Sequence, residues 1–336
     1  MKNVLVAIAL TLLPLSGAAQ SKADLTRDIV TAHALPRFAD LASGSQTLAN
    51  ASIQDCTSDD LRAHYADAFD AWVAVSHMRF GPTEVDNRAF ALAFWPDSRG
   101  ATPKALAGLI LVEDTIAQSA ATYADMSISA RGFYALEFLL YDAKISTAGN
   151  PAYRCLLIQT MAADIARMAT AMSDEWQDAY AEQLLEPSAS GVYRSDAEAT
   201  QELFKALLTG LQFTSETRMG RPLGTFDKPR ATRAEAWRSA RSMRHVAVSL
   251  ATLDDLALRL ADGNLPLQSK LLDSFNRAHD QLLALEDPTF AGVAVPQSRF
   301  KIEIVHKSIE AIRTIARDEL GPHLGVAAGF NALDGD

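Results

Sequence analysis

Past its first twenty residues the sequence has no apolar run long enough to cross a bilayer, which excludes a helical membrane protein. Basic residues are the minority, 31 Lys and Arg against 41 Asp and Glu, for a formal charge of -10. An acidic chain of this kind is a poor partner for nucleic acid or for an anionic membrane surface. There is no His-Glu-x-x-His, no glycine-rich phosphate loop, no nucleophile elbow and no c-type haem attachment site. Alternating strand patterns of useful length are also missing, with short pairings in 80–100 or 286–297 left open. Cysteine is scarce too, with only Cys56 and Cys155.

What is present begins with a leader. Lys2 gives a positive start, Val4 to Leu15 an apolar run too short for a span, and Gly17-Ala18-Ala19 a small-residue cleavage site before Gln20. Residues 1–19 read as a signal peptide, and no cysteine follows to carry a lipid anchor. The expectation is an exported, soluble protein, periplasmic if the source is Gram-negative. About 317 residues remain, enough for two domains of ordinary size. An oxidising compartment makes a Cys56–Cys155 disulfide the expected state, with free thiols as the alternative.

Helical periodicity dominates. Leu25, Ile29, Ala32, Pro36 and Leu41 mark a first helix kinked near Pro36, and Thr57-Ser58-Asp59-Asp60 caps a second that runs to Val75. Further helices are predicted around 103–122, 128–142, 152–185, 196–217, 230–262, 266–286 and 298–319. The fold class is all-α, as packed helical bundles. Turn residues Glu186 to Gly191 divide it into an N-terminal domain, 20–188, and a C-terminal domain, 192–336. The tail near Phe330 either docks or frays.

Glu137 stands out, a lone carboxylate in the apolar helix Gly132-Phe133-Tyr134-Ala135-Leu136-Glu137-Phe138-Leu139-Leu140-Tyr141. A helix apolar on all sides lies in an interior, and a buried carboxylate needs a counter-charge, donors, a metal or a proton. Tyr134, three residues earlier and about 60° round the helix, can face the same partner.

Several motifs together resemble the imelysin-like family of exported bacterial proteins. They are Ala71-Trp72-Val73-Ala74-Val75-Ser76, Arg79-Phe80-Gly81-Pro82, Phe94-Trp95-Pro96-Asp97-Ser98-Arg99, Gly132 to Glu137, Arg233-Ala234-Glu235-Ala236-Trp237-Arg238-Ser239, and the closing Gly329 to Asp336. The resemblance implies two helical bundles with a site between them. It also implies either a metallopeptidase or a role in iron handling, beside partner proteins of a metal-uptake system. The family hallmark Gly-x-His-x-x-Glu holds its metal ligands, and here Tyr134 stands in place of the histidine. A phenol near pKa 10 is a poor zinc ligand, whereas tyrosinate suits ferric iron, so the substitution weakens the peptidase reading more than the iron reading.

The candidate ligand set is therefore Glu137 and Tyr134, for iron or another metal or for a small ligand, with His33, Arg79, Trp95, Asp97 and Arg99 as accessory groups. Arg79 or Arg99 would serve equally as a plain salt-bridge partner of Glu137. Arg230, Arg233, Arg238, Arg241 and Arg244 fall within about 140° of one helix face. That stripe either binds an anion, chiefly through Arg238 and Arg241, or neutralises neighbouring acids. Glu303-Ile304-Val305-His306 spells a di-iron-type pair, but periodicity puts it on the polar face opposite Val305, Ile309 and Ile312. The leading expectation is a non-catalytic, iron-linked binding or accessory protein. The alternatives are a metallopeptidase and an anion- or protein-binding scaffold.

Overall fold

The computed structural model describes residues 21–326, so the expected leader and the tail around Phe330 lie outside it. Among the described residues there are no strands, only an isolated bridge between Thr225 and Lys228, and the fold is all-α. No described helix is long and apolar enough to cross a membrane.

The helices of eight residues or more are α1 (Lys22–Ile29), α2 (Leu35–Gln54), α3 (Asp59–Val75), α4 (Ala101–Val112) and α5 (Gly132–Tyr141). They continue with α6 (Pro151–Glu175), α7 (Asp196–Gln212), α8 (Ser242–Leu260), α9 (Leu265–Leu283) and α10 (Pro296–Ile315). Local chemistry sets many of the starts. Ser58 accepts from the Leu61 amide at 3.0 Å, and Asn150, Ser195 and Asn264 cap α6, α7 and α9 in the same way. Amphipathic spacing then sets the packing. Ile302, Val305, Ile309 and Ile312 of α10 are buried, while Glu303 pairs with Arg299 and Glu310 with Arg313 on the other side. Glu303 is thus taken up in an ion pair, and His306 lies half-buried beside it.

Helices α2, α3, α5 and α6 pack into one bundle and α7 to α10 into a second, with α3 against α8 joining them. Helix α1 packs on α7 and α8, so the described chain starts on the second bundle before building the first. Cys56, just past α2, is bonded to Cys155 near the start of α6, 99 residues away. The disulfide ties the ends of the two helices that pack together most extensively in the first bundle.

Four expectations need correction. Pro36 lies inside the first turn of α2, and the irregularity expected there is a π-turn over Val30–Ala34 just before it. The helix predicted over 103–122 stops at Val112, where Glu113 takes a left-handed conformation. The helix predicted from 128 starts only at Gly132. Most consequential, the helix predicted over 230–262 starts at Ser242. Ala236 and Ala240 have positive φ, 46° and 56°, and break residues 231–241 into turns. The arginine stripe therefore has no common helix face.

Opening the disulfide, by reductant or by Cys155→Ser, is expected to lower the midpoint of thermal unfolding. The loss should approach at most about 4.7 kcal/mol, the chain-entropy value for a loop of about 100 residues, as read by guanidinium unfolding of both forms.

Candidate functional site

The site is built where α5 meets the turns of 231–241. Gly132 opens α5 at φ +76°, and a Cβ there would lie 2.2 Å from the Leu92 carbonyl oxygen. Glycine is therefore required for α5 to start tight against the 91–92 backbone. From it the helix runs fully into the interior, with Glu137 2% exposed and Tyr134 6%. Both side chains are met by the non-helical segment. The Tyr134 hydroxyl donates to Glu235 Oε1 in a short hydrogen bond, and Glu137 Oε1 accepts from the Ser239 amide at 2.9 Å and its hydroxyl at 2.8 Å. Two groups one helical turn apart on α5 thus engage two residues set four apart by the Ala236 and Ala240 turns.

Glu235 is the hub. Its carboxylate accepts from Arg218 Nε at 2.7 Å, and His245 Nδ1 lies 3.3 Å away. Arg218 comes from a π-turn over Phe213–Met219 and also donates to Ser76 Oγ, at the end of α3, at 3.3 Å. Burial alone would push the Glu235 carboxyl up, but Arg218 and then His245 overcome it and hold it down at about 2. Glu137 goes the other way, raised by burial against the opposing Ser239 donors and Arg238. Burial, reinforced by the Glu235 charge, pushes the Tyr134 phenol well up, so it is a neutral hydrogen-bond donor.

Beside Tyr134, Glu235 and Arg218 opens a cavity of about 560 Å³, walled by Trp72, His77, Trp95 and Phe213. Trp95 stacks on Tyr134 with ring centroids 6.0 Å apart. Behind the wall, His33 Nδ1 lies 2.8 Å from Asp255 Oδ2, and its Nε2 lies 3.1 Å from His77 Nε2. Burial lowers the pKa of both histidines, that of His77 strongly.

The residues singled out from sequence are only partly brought together. Tyr134, Trp95 and Arg79 line the cavity, but Arg79 pairs with Glu84 at 2.6 Å and not with Glu137. Asp97 is a cap, accepting from the amides of Ala101 and Thr102 at 2.9 and 2.8 Å, and Arg99 is exposed. Arg238 pairs with Asp142 at 2.9 Å and lies over the Phe138 ring, while Arg241 and Arg244 share Asp70. These arginines neutralise acids of the first bundle, so the charges of Arg238 and Arg241 are already paired. His33 is buried, one ring behind the cavity wall.

Sequence reading missed Glu235, Arg218, His245 and His77. A signal for the first was present, since Ala234-Glu235-Ala236-Trp237 sets a carboxylate among apolar residues just as Glu137 is set.

The motif pair does not fit a bare metal ion. The Tyr134 hydroxyl is engaged by Glu235, Glu137 accepts two bonds from Ser239, and the Arg218 guanidinium holds the face of Glu235 that a cation would take. Among the described residues, no three His, Cys, Asp or Glu side chains gather where they could hold a metal.

Glu235→Gln leaves Arg218 buried without its counter-charge, and is expected to cost about 3–5 kcal/mol at neutral pH. Because the folded carboxyl sits at about 2 against an ordinary 4.5, its contribution is full above 4.5 and is lost as pH falls toward 2. The gap between wild type and Glu235→Gln should therefore close over that window in urea titrations. Glu137→Gln, removing a carboxyl already pushed up, should show no such closing.

Comparisons with known proteins agree with this architecture. An imelysin-like protein of Psychrobacter arcticus 273-4 superposes with a TM-score of 0.77 at 21% identity, covering 93% of this chain and 99% of its own. A protein described as an iron-regulated protein A precursor, from Parabacteroides distasonis ATCC 8503, gives 0.75 at 13% identity, with 91% and 97% covered. Among curated proteins none matches. The family model described as Imelysin, peptidase family M75, matches residues 34–316, and the chain belongs to the imelysin family.

Proposed function

We propose that this chain is an exported, non-catalytic binding protein that takes a small organic ligand into the cavity between its two bundles. The observation that carries the reading is the cavity of about 560 Å³ whose floor is the Tyr134–Glu235–Arg218 cluster and whose walls are aromatic. Pockets of this size, mostly apolar with a few fixed polar groups, suit small-molecule ligands. The bundles divide near residues 186–191 in this reading, and the periplasm is its compartment. The leader-like start and the disulfide support export.

The setting is iron-linked, as the name of the Parabacteroides relative suggests. Iron is not bound as a bare ion on Tyr134 and Glu137, whose oxygens are already engaged. The peptidase reading rests on the name of the family model, and among the described residues no three His, Cys, Asp or Glu side chains gather to hold the metal it would need.

The test is a thermal-shift and tryptophan-fluorescence screen of small organic compounds, with ferrous and ferric salts as separate arms. Binders are expected to quench fluorescence, with at least a tenfold loss of affinity in Trp95→Ala. Iron salts alone should give no shift. Stoichiometric iron binding that disappears in Glu137→Ala, or the absence of any binder, would overturn the reading.

A further inference from the structure

The cavity wall contains a histidine whose tautomer is set from behind. Asp255 accepts from Arg37 Nη2 at 2.9 Å and from Arg259 Nε at 3.0 Å, so it is an ionised carboxylate that can only accept. Its Oδ2 lies 2.8 Å from His33 Nδ1, and that nitrogen must carry the proton. A neutral His33 then has only a lone pair at Nε2. His77 Nε2, 3.1 Å away, is therefore the donor, which leaves the lone pair of His77 on Nδ1. His33 is fully buried on the π-turn of 30–34, a local distortion of the kind that often marks functional positions. His77 lines the cavity, and its Nδ1 has no hydrogen-bond partner among the described residues.

The cavity thus combines a fixed acceptor, a cation and flat aromatic walls. Arg218 lines it with Nε on Glu235 and Nη2 on Ser76, so Nη1 remains for a ligand. Trp72, Trp95 and Phe213 supply the walls. A carboxylate ligand would face the Nδ1 lone pair with no proton to offer. An ammonium ligand would meet the Arg218 charge. A purely apolar ring would leave both polar groups unmatched, and unmatched buried polar groups are what give a site its discrimination.

We propose that the ligand is a planar aromatic bearing a weakly acidic hydroxyl, of the phenol or catechol class. Its O–H donates to His77 Nδ1, and its oxygen accepts from Arg218 Nη1. This rests on the binding-protein reading above and names the ligand chemistry of the same cavity. Asp255 and His33 are positioning residues, since His33 touches His77, Asp255 touches His33, and neither touches the ligand.

The experiment compares catechol and phenol with 1,2-dimethoxybenzene and benzoate by tryptophan quenching and calorimetry on the whole exported chain. Catechol and phenol are expected to bind at least tenfold more tightly than either comparator. His77→Phe keeps the ring and removes the acceptor, and should erase that preference while dimethoxybenzene binding is unchanged. His77→Gln, which retains an acceptor oxygen, should keep part of it. Asp255→Asn should lower the preference ratio without weakening dimethoxybenzene. Equal affinity for catechol and dimethoxybenzene, or a preference that survives His77→Phe, overturns the phenol assignment and leaves the binding protein standing. So does a screen in which other organic compounds bind and these aromatics do not. No binder of any kind overturns both.

Discussion

The ion pair between Arg218 and Glu235 is the constraint around which the two bundles are arranged. Both groups are nearly inaccessible, 4% and 2% exposed, and each carries a charge that would be costly alone in the interior. Their partners come from both sides of the seam: Tyr134 from α5, Ser76 from the end of α3, His245 from α8. Buried pairs of this kind seldom add net stability over apolar packing, and their best-attested use is fixing register. Here the register is that of one bundle against the other, since Tyr134 must meet Glu235 while Glu137 meets Ser239 one turn along. The cavity is the space left beside that fixed contact.

Tyrosine at the position of the family histidine changes what the motif offers. An imidazole can present a lone pair, whereas the buried phenol of Tyr134 presents a proton, and Glu235 takes it. The overall architecture is shared with the Psychrobacter protein, at a TM-score of 0.77. In this chain the motif serves the joint between bundles, and the recognition we propose falls to the neighbouring groups at 77, 95 and 218.

Much of the fold was legible because it is locally encoded. The Ser58 cap, the apolar stripe of α10, the long helix around 152–185 and the cysteine pairing all rest on neighbouring residues or on compartment chemistry. Burial of Glu137 was legible for the same reason, from its apolar surroundings. Residues 231–241 were not, because alanine, arginine and glutamate favour a helix and only distant partners hold the segment in turns. The Ser239–Glu137 and Glu235–Tyr134 bonds span 102 and 101 residues. The arginines were read as a stripe on that assumed helix, whereas Arg238 pairs with Asp142 and Arg241 and Arg244 share Asp70. His33 was noted alone, since its link to His77, 44 residues away, follows no periodicity.

The placement of α1 has a bearing on how the chain assembles. Leu25 and Ile29 are buried, and the helix that carries them docks on α7 and α8, made from residues 196–212 and 242–260. During synthesis those side chains emerge well before their seat exists, so the earliest helix waits with its greasy face uncovered while the intervening bundle forms. An exported polypeptide held unfolded until it is across the membrane avoids that exposed interval. Such a topology suits a molecule that folds after delivery, with all its helices available together.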